Sequence, residues 1–162
     1  MTPTAIFLLQ TGMSVVVVAL IAVWFVAPWL ARLTTTAALS ILLLPHAFRH
    51  IGMSFMVPNL NTDGLPETFA SSAGYGDLLS AVLAIGALVA LRWRSIVAIP
   101  LVWVFNLMGT IDLVNALRQA EAINHFGPTW FIPTFFVPAL LVSHVMIFAW
   151  LVRGERRRSA AA

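Results

Sequence analysis

His46, Arg49 and His50 lie within the run Pro45-His46-Ala47-Phe48-Arg49-His50, inside a stretch otherwise apolar enough to cross a bilayer. Imidazole and guanidinium groups at membrane depth are costly to bury, so a cluster of them marks a proton, ion or ligand site by default. On an α-helix, His46, Arg49, His50 and Met53 share one face through spacings of three and four. Pro45 removes a backbone donor just ahead of them, which predicts a kink there.

Four more polar residues sit in the other apolar segments: Asp77, Asn106, Asp112 and His144. Counting inward from the predicted cytoplasmic ends at about 1.5 Å per residue sorts the group into two layers. Arg49, His50 and Asp112 share an outer layer with Asp77 above it, while His46, Asn106 and His144 form a looser layer near the midplane. A buried arginine needs a counter-charge, and Asp112 is the only carboxylate well inside a segment. The expectation is an Arg49–Asp112 ion pair, acting either as a clamp on helix register or as a gate that anchors a ligand. Asp77 reads as an outer-end residue facing water or as the outer extension of a proton path.

Three chemistries fit these residues. Histidines beside carboxylates are the usual material of intramembrane proton relays, which His46, His50, Asp112 and Asp77 would form. In that reading the chain is a proton-linked binding or transport module, and Arg49 suits a small anionic ligand. Alternatively, His46 and His50 chelate a divalent metal with Asp112 as third ligand. Their spacing resembles the H-x-x-x-H of membrane di-iron oxygenases and intramembrane zinc hydrolases. The further histidine motifs of those families and any H-E-x-x-H are missing, and Arg49 opposes a cation. A third arrangement is a haem held by His46 and His144 as axial ligands from different helices. The absence of cysteine excludes thiolate catalysis, disulfides and iron–sulfur clusters. No phosphate loop, dinucleotide fingerprint or G-x-S-x-G elbow occurs. The balance leans away from an enzyme, with an accessory or scaffold protein as a further alternative.

The elements that must position these residues follow from hydropathy. Of 162 residues 60% are hydrophobic and 9% charged, against about a quarter charged in soluble domains. Apolar segments at roughly 4–31, 34–57, 76–93, 95–118 and 130–152 predict an all-α bundle of five transmembrane helices in one domain. Residues 153–162 form a basic tail. Arg32, Arg92, Arg94, Arg153 and Arg156–Arg158 fall on one side, which puts the N-terminus outside and the C-terminus in the cytoplasm of an inner, or plasma, membrane. The tail reads as a contact for anionic lipid headgroups and not as a nucleic-acid face. Leu65 to Ser72 is expected to form a short interfacial helix or lid. Ser72, Gly76, Ser80 and Ala84 recur every four residues, a small-residue stripe suited to close packing within the chain or to a homodimer.

Overall fold

The structure, a computed structural model, describes residues 1–159, and the side chains of all of these except 120, 121 and 155–159. The arginine run 156–158, with its expected headgroup contact, lies outside the described residues as far as its side chains are concerned. Among the described residues every regular element is helical. Four helices are long and apolar enough to cross a membrane: Pro3–Leu30, Glu67–Arg92, Ala98–Arg118 and Gly127–Gly154.

Helix α1 (Pro3–Leu30) contains a wide π-helical turn at Ala22–Val26. It starts where Thr2 accepts a hydrogen bond from the Ala5 amide, with Pro3 in the first turn. Its surface is mostly exposed, and Phe7 and Gln10 pin its N-terminal end. The Trp130 indole donates to Gln10 Oε1 at 2.7 Å, and the Phe7 ring meets Trp130 edge-on at 5.7 Å.

The expected second span is a composite. Helix α2 (Thr35–Leu43), capped by Thr34, passes directly into a 3₁₀ helix over Leu44–Met56. The break falls where Pro45 removes the amide that would continue the α pattern, so the proline tightens the helix instead of only kinking it. Thirteen residues is long for this geometry, in which runs above about four are uncommon. The consequence is a change of period. Three residues per turn align His46, Arg49, Gly52 and Phe55, and all four are buried. His50, which an α-helix would have put beside Arg49, is exposed.

Helix α3 (Glu67–Arg92) begins earlier than hydropathy predicted and absorbs residues of the expected lid into its first turns. It packs between the 3₁₀ helix and α4 (Ala98–Arg118). Its small-residue stripe is spent inside the chain: Ser80 and Ala84 are buried, Gly76 lies against Asp112, and only Ser72 is exposed. After α4 come two short 3₁₀ turns, Ala120–His125 and Gly127–Trp130. A π-helical turn at Ile132–Phe136 then leads into α5 (Val137–Ser159).

Three apolar clusters result. The largest joins Leu39 and Leu43, Ala84 and Ala87, Val102 and Phe105, and Ile147. The second is aromatic, built on Phe7, Phe55, Phe69 and Phe126, and a small third joins Leu113, Val137 and Leu140. His46 and Arg49 are carried by the 3₁₀ helix that follows α2.

Candidate functional site

Arg49 projects from the 3₁₀ helix toward α3 and α4. Its Nε donates to Asp77 Oδ1 at 2.7 Å, its Nη2 to Asp112 Oδ2 at 2.5 Å, and its Nη1 to the Gly109 carbonyl at 3.1 Å. The guanidinium side chain is wholly buried, whereas the Asp77 and Asp112 side chains keep 13% and 19% of their exposure. Such pairing and hydrogen bonding is what a buried charge requires. The single pair expected with Asp112 is therefore a three-member group. Asp77 belongs to it and does not sit above it in water.

Glycines make this approach possible. The Asp77 carboxylate fills the space a Cβ at Gly52 would take, and the Asp112 carboxylate does the same at Gly76. The group holds one cation and two carboxylates, so with all three ionised it carries one surplus negative charge. Such a charge balance does not favour the anionic ligand expected from Arg49 alone. A third anion at Arg49 would meet the two carboxylates already in place.

Next to the triad lies the second group, His46, Asn106 and His144, all buried. His144 Nδ1 stands 2.6 Å from Asn106 Oδ1, while Asn106 Nδ2 donates to the His144 carbonyl at 3.2 Å. An amide oxygen only accepts, so His144 carries its proton on Nδ1 and presents a lone pair at Nε2. The His46 ring packs 4.3 Å from that of His144, and Phe105 flanks both. Among the described residues, both ring nitrogens of His46 and Nε2 of His144 lack a hydrogen-bond partner. The two layers meet at Gly109. A Cβ there would stand 2.8 Å from Arg49 Nη1 and 2.8 Å from His144 Cε1.

This geometry sorts the cofactor expectations. Rings 4.3 Å apart leave no room for a porphyrin between them, so His46 and His144 do not form a haem site. The set His46, His50 and Asp112 is not assembled either. His50 points away and its Nδ1 lies 3.1 Å from the Ala47 carbonyl oxygen, while His46 faces His144. Among the described residues no group of three or more histidines, cysteines or carboxylates is placed to hold a metal ion.

Two spaces adjoin the triad. A small void of about 30 Å³ touches Asp77 and Asp112 beside the aromatic cluster, enough for about one or two waters. On the other side, a cleft of about 460 Å³ opens between the 3₁₀ helix and the start of α5. Its floor is Arg49, Gly52 and Asp77, and its walls are apolar. Sequence reasoning missed Gly52, Gly76 and Gly109 as site residues. The repeat of His46, Arg49, Gly52 and Phe55 at intervals of three was the signal that could have found the first.

A family model described as "Domain of unknown function (DUF8737)" matches residues 6–152. No curated protein and no solved structure matches the chain.

Proposed function

The chain belongs to the DUF8737 family, and we propose that it is a proton-linked binding or transport module of the membrane, with the Arg49–Asp77–Asp112 triad as its working site. The observation that carries this reading is the convergence of two carboxylates on one fully buried guanidinium at the floor of an open cleft. A register clamp needs one carboxylate per arginine. The second leaves a surplus charge that a low-dielectric surrounding tolerates only when something neutralises it. A proton fills that role in the empty site and leaves when a ligand supplies the balance. The 30 Å³ void beside both carboxylates is large enough for a water that would bring the proton.

The same reading takes the chain as five crossings, with the N-terminus outside and the C-terminus in the cytoplasm of a plasma membrane. Nine residues of α2 and thirteen of 3₁₀ helix extend about 40 Å at about 1.5 and 2.0 Å per residue, which exceeds the ~30 Å hydrocarbon layer. The excess of arginine at one set of helix ends supports the orientation.

Infrared difference spectroscopy on purified protein tests the proposal. A protonated-carboxyl band that titrates reversibly, and is lost or moved in both Asp77→Asn and Asp112→Asn, is the expected result. A spectrum in which neither aspartate contributes at any pH contradicts it.

A further inference from the structure

We infer that the cleft beside Asp77 binds a lipophilic cation, such as an aromatic amine or onium compound, in exchange for the proton. This names the ligand class for the site proposed above and rests on that reading. At about 460 Å³ the cleft falls within the roughly 300–1,000 Å³ range of small-molecule sites. Its walls include Phe48, Ile51, Phe135, Phe136 and Leu140, and the first four are exposed at the flank of the bundle, where the acyl chains would lie. The entrance is thus apolar and lateral, which selects a ligand that already partitions into the bilayer.

The floor selects the charge. Arg49 spends donors on Asp77, Asp112 and Gly109, so its charge is already engaged by two carboxylates. Asp77 gives Oδ1 to Arg49, and its carboxylate rests over Gly52, itself part of the cleft lining. The surplus charge of the triad therefore faces the cleft through Asp77, with Asp112 behind it. An anion is repelled there, and a neutral hydrocarbon leaves the surplus charge unbalanced. A cation satisfies it, and the rings of Phe48, Phe135 and Phe136 add cation–π attraction as it passes. The π-helical turn at Ile132–Phe136 presents the two α5-side phenylalanines at the mouth, and such turns are frequent at functional sites.

The test uses two ions of near-identical shape and opposite charge, tetraphenylphosphonium and tetraphenylborate. Each is offered to the full chain in nanodiscs, and specific binding is read by equilibrium dialysis against empty nanodiscs. The expected result is saturable binding of the phosphonium alone. Asp77→Asn weakens it roughly tenfold or more, since a desolvated charge pair is lost. Ala139→Trp, which fills the cleft, abolishes it without touching the triad and stands in if Asp77→Asn does not fold. Equal binding of both ions, binding indifferent to both substitutions, or no saturable binding of the phosphonium overturns the inference. The titrating carboxyl band, measured on the same preparation, reports separately on the proton-linked reading. A band without phosphonium binding sinks the ligand class alone.

Discussion

The Asp112 carboxylate lies against Gly76, in the space that a Cβ at that position would occupy. Helix α3 can bring Asp77 and α4 can bring Asp112 to the same guanidinium only because this contact is bare backbone. Gly76→Ala is therefore expected to push Asp112 off Arg49 and to destabilise the protein by about 1–3 kcal/mol, the usual cost of overpacking. Thermal unfolding in detergent checks this, with Gly12→Ala as the control, since a Cβ at Gly12 meets nothing within 4 Å.

Removing one member of the buried group leaves the others uncompensated. Arg49→Met is expected to cost about 3–5 kcal/mol or to prevent folding, because two carboxylates then face each other without their cation. Adding Asp77→Asn and Asp112→Asn to Arg49→Met is expected to recover most of the loss, as neutral replacements of buried ion groups often do. Expression level and unfolding temperature of the single and triple variants measure it. A triple variant no better than the single would argue that the charges are not the source of the effect.

The 3₁₀ register makes its own claim. Period three buries Phe55 and exposes His50, whereas an α-helix would have turned His50 toward Arg49. Because the chain has no cysteine, single cysteines report accessibility without interference. His50→Cys is expected to react readily with a maleimide and Phe55→Cys to stay protected. Phe55→Ala should also cost about 3–5 kcal/mol, as loss of a core aromatic does, while His50→Ala should leave stability within about 0.5 kcal/mol.

His46 is wholly buried and neither ring nitrogen is bonded among the described residues, so its polar atoms oppose folding. His46→Leu, close in volume, is expected to raise stability by about 1–3 kcal/mol. A stability loss of that size would mean that the imidazole holds an interaction beyond those seen here.

Much of this was legible in the sequence. Arginine at membrane depth with Asp112 as the one deep carboxylate pointed to their partnership, and approximate depths grouped His46, Asn106 and His144 in a looser layer. Asp77 was misjudged because hydropathy started its helix at residue 76, leaving it at a helix end, whereas α3 begins at Glu67 and carries Asp77 well inside. His50 was misjudged because the α period was assumed past Pro45. A proline signals that the pattern is interrupted, but which helix replaces it depends on what packs alongside. Here that is the close approach of α3 to Gly52.

If a proton and a cation share the surplus charge of Arg49, Asp77 and Asp112, cation binding must displace protons. Tetraphenylphosphonium binding in weakly buffered solution, followed with a pH indicator, measures that displacement. Release is expected to rise with occupancy and to be absent in Asp77→Asn. Saturable binding of the cation with no change in bound protons would rule the exchange out.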